Sequence, residues 1–201
     1  MPLSTPDTIT RHIKKGHGQG EGKLYKPWLE PRHVSSLGKS TRVLGWKTGR
    51  QQSFLSQLEL RYFYMLEWSE SISDIREQFP LLPLDTTRRL CQESNVKHPT
   101  IPGTTSENVM TTDFLIFTKD GKQHARSIKP VRDLENPRTL EKLEIERLFW
   151  AEQETDFALI TEEQLNLVVA KNVEWVHPKY LFANLAPLTA KDTVTTRSST
   201  M

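Results

Sequence analysis

A chain of 201 residues and 23.3 kDa fits one domain with appendages and leaves little room for a second complete core. Hydrophobic residues make up 36% and charged residues 26%, with a mean hydropathy of -0.56, too apolar for full disorder. No run approaches the roughly 20 apolar residues that span a bilayer, no signal peptide opens the chain, and Cys91 is the only cysteine, so a membrane span, secretion, a disulfide framework and a cysteine-based zinc site are all set aside.

Charge is unevenly laid out: residues 1 to 50 carry ten Lys or Arg against three Asp or Glu, whereas the remainder carries 17 against 22. A basic arm on a mildly acidic body suits a polyanion such as nucleic acid, and it equally suits a solvated arm. Residues 1 to 24 are poor in core formers and contain GHGQGEGK, which predicts a mobile segment. From Leu24 to Arg50, Pro and Gly breakers mixed with two Trp and six Lys or Arg predict an extended, irregular arm. Regular structure is expected from about Ser53, where SFLSQLELRYFYMLEWS sets Leu55, Leu58, Tyr62, Met65 and Leu66 on one helical stripe. ISDIREQFPLLPL then reads as a strand ending at Phe79, kept from a central position by Pro80 and Pro83. The polar stretch through Cys91, His98 and Pro102 reads as loops with at most one short helix.

MTTDFLIFT and QHARSIKPV flank KDGK, a hairpin signal, and carry apolar residues on both faces, as central strands of a covered sheet do. RTLEKLEIERLFWAEQ, after Pro137, predicts a long charged helix; TDFALIT follows as a strand, and the order implies a crossover. Thr161 and Gln164 have the spacing of a capping box opening a helix through EEQLNLVVAKNVEW. The organisation expected is therefore a basic arm over 1–50, an α/β domain with a mixed sheet over 51–184, and a frayed tail over 185–201.

Two acidic residues interrupt this pattern. Glu59 falls about 40° from Leu55 on the helical wheel, inside the apolar stripe, where a carboxylate needs a Lys or Arg partner, a shifted pKa or a cation. Asp113 lies within a predicted strand, where Asp is disfavoured. A three-residue loop, Lys119 to Gly121, sets Asp113 opposite Ser127 and places Asp113, Ser127 and Lys129 on one face; a two-residue loop sets Asp113 opposite Ile128 and turns Lys129 away. With the first register, Asp113, Lys129 and Glu59 compose a site for Mg²⁺ and a phosphodiester, the alternative being an Asp113–Lys129 ion pair inside a structural sheet.

The blocks GWKTGR, LSQLELRYFYMLEWSESISDIREQFPLLP, VMTTDF, SIKP and RTLEKLEIER resemble the TnsA family, the endonuclease subunits of heteromeric cut-and-paste bacterial transposases, over about Tyr25 to Tyr180. The resemblance implies a restriction-endonuclease-like, PD-(D/E)xK fold with catalytic Glu59, Asp113 and Lys129. Magnesium, or manganese in its place, is implied to bind Glu59, Asp113 and the main-chain carbonyl of Ser127, which stands where the family commonly has Gln. It further implies cleavage at the 5′ ends of a transposon, with a TnsB-like transposase and a TnsC-like AAA+ regulator as partners and transposon-end DNA as substrate, in the bacterial cytoplasm beside the nucleoid. A C-terminal helical domain of longer relatives is expected to be absent, shortened or supplied by another chain. Lys47 and Arg50, flanking Thr48 and Gly49, are the candidate contacts to the DNA backbone, or else part of a solvated basic loop; Trp28 and Trp46 read as packing anchors. An autonomous restriction or repair nuclease and a catalytically weak, DNA-binding assembly subunit are the competing functions.

Overall fold

The computed structural model describes residues 6–29, 40–101 and 103–185. Its sheet grows from the KDGK turn. Gly121 takes φ +84°, its amide donates to the Thr118 carbonyl, and the Thr118 amide donates to the Lys122 carbonyl at 3.0 Å, closing a loop of three residues. β4 (Thr111–Thr118) and β5 (Gln123–Ile128) leave this turn antiparallel, with Phe114 opposite Arg126 and Phe117 opposite Gln123. That is the register which brings Asp113 level with Ser127. β3 (Ile72–Pro80) pairs antiparallel with β4, and β6 (Asp156–Ile160) pairs parallel with β5, so the order is β3-β4-β5-β6. Pro80 closes β3 at the sheet edge, the position that a residue without an N–H tolerates. A parallel neighbour requires a crossover, and α4 (Pro137–Glu152) supplies it, with Asn136 as N-cap and Pro137 in its first turn.

Strand alternation sends Phe114, Ile116 and Ile128 to one face, where they pack with Leu60, Phe63 and Leu66 of α2 (Gln57–Trp68) and Val173 of α5 (Leu167–Leu185). Leu115 and Ala125 go to the other, against Leu90 and Cys91 of α3 (Leu84–Glu93) and Ile145, Phe149 and Trp150 of α4. Helices cover both sides of the sheet, which is why both parities of its central strands are apolar.

Several boundaries differ from expectation. Gln51–Phe54 is not the start of a helix; it is β2, paired with β1 (Thr41–Leu44) in a two-stranded ribbon. Gln52 and Phe54 alternate inward, and Ser56, the first good N-cap, delays α2 to Gln57. The buried arc of α2 comprises Glu59, Leu60, Phe63, Tyr64, Leu66 and Glu67 rather than the expected stripe, since the helix is clasped between the sheet and α5. Thr161 and Gln164 form the capping box, yet it caps a single 3-10 turn, Glu162–Gln164; α5 starts at Leu167, where Asn166 Oδ1 accepts from the Val169 amide.

The N-terminal segment carries more structure than its composition implies. Residues Pro6–Lys14 form α1, and Tyr25 and Trp28 are buried beside β3. The Tyr25 hydroxyl donates to the Glu77 carbonyl, and the Trp28 amide to the Gln78 carbonyl. Trp28 thus is the packing anchor that was expected. Residues 1–5, 30–39 and, from 186 onward, the predicted tail lie outside the described residues. Among the described residues no helix is long and apolar enough to cross a membrane.

Candidate active site

Asp113 sits near the start of β4, buried, and its carboxylate is held from the neighbouring strand. Its Oδ2 accepts from the Ile128 amide at 2.7 Å, the Lys129 ammonium at 2.8 Å and the Ser127 hydroxyl at 3.4 Å, while Gln78 Nε2 lies 3.5 Å from Oδ1. Lys129 follows the last residue of β5 and keeps its parity, because its amide continues the ladder to the Ile160 carbonyl at 3.0 Å. Ser127 and Lys129 therefore face the same side as Asp113. Desolvation pulls the Lys129 pKa down, but the carboxylates of Asp113, Glu146 and Glu59 outweigh it and raise it, so the ammonium stays charged with its side chain 32% exposed.

Glu59 occupies the third position of α2. Its Oε1 accepts from the Ser56 hydroxyl at 2.8 Å and its Oε2 from the Leu55 amide at 3.0 Å, while Ser56 Oγ accepts from the Glu59 amide. The Lys or Arg partner considered from the sequence is replaced by the helix's own first turn. Burial, reinforced by the Asp113 charge, pushes its pKa up to about 7 against the opposing pull of the Leu55 and Ser56 donors and of Lys129. The same carboxylate thus caps a helix and shares the electrostatics of the Asp113 cluster.

A third acidic group escaped the sequence reading. Glu146 projects from α4 into this cluster; it is buried, and its Oε1 has no hydrogen-bond partner among the described residues. Burial and then Asp113 drive its pKa up to about 8, with Lys129 and the hydroxyls of Thr112 and Ser127 pulling the other way. The signal was present: Glu146 lies three positions after Leu143 and three and four before Phe149 and Trp150, on the buried face of α4. On the helical wheel Glu146 falls within the apolar face of α4, as Glu59 falls within that of α2.

Asp113, Lys129 and Glu146 open onto a cleft of about 390 Å³ that also presents Asp133, Thr139 and Lys142. A larger cleft of about 710 Å³, beside His124, Trp150 and Asp156, shares none of these groups. Lys142 forms no ion pair among the described residues, and burial followed by the charges of Arg138 and Lys129 lowers its pKa.

Lys47 and Arg50 are engaged elsewhere. The Arg50 guanidinium is buried; it grips both carboxylate oxygens of Glu77, donates to the carbonyls of Gly22 and Ile75, and stacks over the Tyr25 ring at 5.0 Å. An arginine with these commitments presents no fork to a DNA phosphate. Lys47 Nζ donates to the Ser69 carbonyl at 2.7 Å, at the C-terminal end of α2, and burial lowers its pKa. The expected basic DNA loop is a structural turn, its Trp46 and Lys47 amides bonded to Glu67 and Gly49 at φ +62°. Trp46 stacks on His177 at 4.3 Å, the packing role expected of it.

The groups of this cluster able to ligate a metal are the carboxylate oxygens of Asp113, Glu59 and Glu146, a set that suits a hard divalent cation. Among the described residues no three His, Cys, Asp or Glu side chains already surround a common point. Mg²⁺ does not demand such a cage; one or two carboxylates with waters and phosphate oxygens suffice. The unpartnered Glu146 Oε1 and the raised pKa values of Glu59 and Glu146 mark a crowding of negative charge that a cation relieves, so the residues present fit such an ion.

Comparison with known proteins identifies the family. Residues 69–162 match the family model described as TnsA-like endonuclease N terminal. The transposon Tn7 transposition protein TnsA of Escherichia coli is 47% identical over 189 residues, covering 90% of this chain and 68% of the relative.

Proposed function

This chain belongs to the TnsA-like endonuclease family, with its restriction-endonuclease-like fold, and from that premise we propose that it hydrolyses DNA at the 5′ ends of a transposon with the help of Mg²⁺. The observation that carries the reading is the junction of Asp113 with Lys129 on one strand pair, beneath the carboxylates of Glu59 and Glu146. Asp113, Glu59 and the Ser127 carbonyl would hold the ion. Bound there, a divalent cation neutralises charge at the scissile phosphate and lowers the pKa of the attacking water. Lys129, bonded to Asp113 in the free protein, would turn its ammonium to the phosphate, where negative charge grows as the water oxygen bonds to phosphorus and the ester oxygen leaves. Glu146 has an oxygen without a partner among the described residues and, once ionised beside a bound cation, would take up the proton that the water sheds. Lys142 meets a neighbouring phosphate, the role that Lys47 and Arg50 had in the sequence reading.

The partners in this reading are a TnsB-like transposase that cuts the opposite strand and a TnsC-like AAA+ regulator, and the setting is the bacterial cytoplasm. Strand-resolved excision assays with those partners supply the test: Asp113→Ala is expected to lower 5′ cleavage by about 100-fold or more and leave 3′ cleavage intact. Undiminished 5′ cutting rejects the assignment. A second reading, a catalytically weak assembly subunit, draws on the engagement of Glu59 in its helix cap. It is favoured if Glu59→Ala, Asp113→Ala and Lys129→Ala all support full excision.

A further inference from the structure

Gln78 is the conformational outlier of the sheet. It lies within β3, between Glu77, paired with Phe114, and Phe79, paired with Thr112, so the strand sets it across from Asp113. Its φ is +50°, a left-handed conformation that glycine adopts freely and that costs a long side chain conformational energy. The residue is nevertheless a glutamine, only 2% exposed, and its main-chain carbonyl is pinned by the Trp28 amide at 3.1 Å. Such an outlier persists where the surroundings over-determine it, and the side chain explains what is retained.

The amide is oriented from both ends. The Thr111 hydroxyl donates to Gln78 Oε1 at 3.2 Å, which leaves Nε2 directed at Asp113 Oδ1, 3.5 Å away. Oδ2 is held from the opposite side by Ile128, Lys129 and Ser127, so the carboxylate is fixed between two strands. A neutral donor suits this place: a carboxylate would add to the charge of Glu59, Asp113 and Glu146, and a cation would compete with the metal. We propose that Gln78 is a positioning residue for Asp113, its Thr111-oriented amide fixing the carboxylate plane so that Oδ1 keeps a lone pair turned to a divalent cation. The proposal rests on the metal-site reading above and extends it to a residue that touches neither substrate nor ion.

The test is calorimetric titration of the full chain with Mn²⁺, without DNA, beside thermal unfolding of the same samples. Gln78→Gly removes the amide and relieves the backbone, so its melting temperature is expected to equal or exceed the wild-type value while Mn²⁺ affinity falls about 10-fold or more. Gln78→Asn, which tolerates the left-handed region and keeps an amide, is expected to recover part of that affinity. Wild-type affinity in Gln78→Gly overturns the inference, and so does a large drop in its melting temperature, which makes the residue structural. Equal Mn²⁺ binding by wild type and Asp113→Ala overturns the metal site itself, and the inference falls with it.

Discussion

Glu146 is the residue that changes the picture of the site. It is buried against Asp113, carries a pKa pushed up to about 8, and has an oxygen without a partner among the described residues. Both it and Glu59, at about 7, hold protons in the folded chain that the unfolded chain, with Glu near 4.5, has lost. Between those values the native state binds more protons than the unfolded one, so stability is greatest at low pH and declines as pH rises through 7 and 8. Without metal, the melting temperature is expected to fall by roughly 5 °C from pH 5.5 to pH 8.5, and Glu146→Gln to remove a large part of that fall. Divalent cation should restore the loss at pH 8.5 in wild type. A flat profile in wild type, or one as steep in Glu146→Gln, contradicts the charge crowding described above. Asp113 and Lys129 were legible because one breaks strand propensity and the other shares its face in only one register. Glu146 went unseen because a Glu amid the Glu and Lys of RTLEKLEIER looks like a solvated helix face.

Among the elements, the β4–β5 hairpin was the most legible. Asp-Gly chemistry in KDGK and the demand that Asp113 find partners fix one loop length, and Gly121 at φ +84° fulfils both. The β1–β2 ribbon was not legible, since four-residue strands joined through GWKTGR carry little period-2 signal, and the partner that stabilises them lies far along the chain. That partner is Glu77 of β3, bound by Arg50 and by the Gln52 amide at 3.1 Å. Composition marks Arg50 as a basic surface residue; only the fold reveals the buried acid that claims it. Arg50→Ala is expected to destabilise the chain by about 3 kcal/mol or more, because it leaves Glu77 buried without its counter-charge. Chemical denaturation measures this, and a change within about 0.5 kcal/mol would contradict the interior assignment. The α2 boundary teaches a related point: the helix signal extended back to Ser53, but Ser56 as N-cap and the inward Phe54 divide strand from helix there.

At the scale of the whole molecule, a sheet covered on both faces gathers the start of β4, the end of β5, the first turn of α2 and the middle of α4 at one place. Of the basic residues in the first 50 positions that pointed to DNA, Arg50 is buried on Glu77 and half-buried Lys47 donates to the Ser69 carbonyl at the end of α2. Among the described residues, Lys142 faces the cleft without an ion pair. Lys142→Ala is expected to reduce the salt-dependence slope of DNA binding by about one counterion, with little effect on stability. An unchanged slope removes Lys142 from the interface. The central claim, that Asp113 anchors a divalent cation against DNA, is met most directly by anomalous diffraction from crystals of the chain with Mn²⁺ and transposon-end DNA. A manganese peak within coordination distance of the Asp113 carboxylate is the result expected. A DNA-bound structure saturated with Mn²⁺, with Lys129 still bonded to Asp113 and no peak beside that carboxylate, would contradict it.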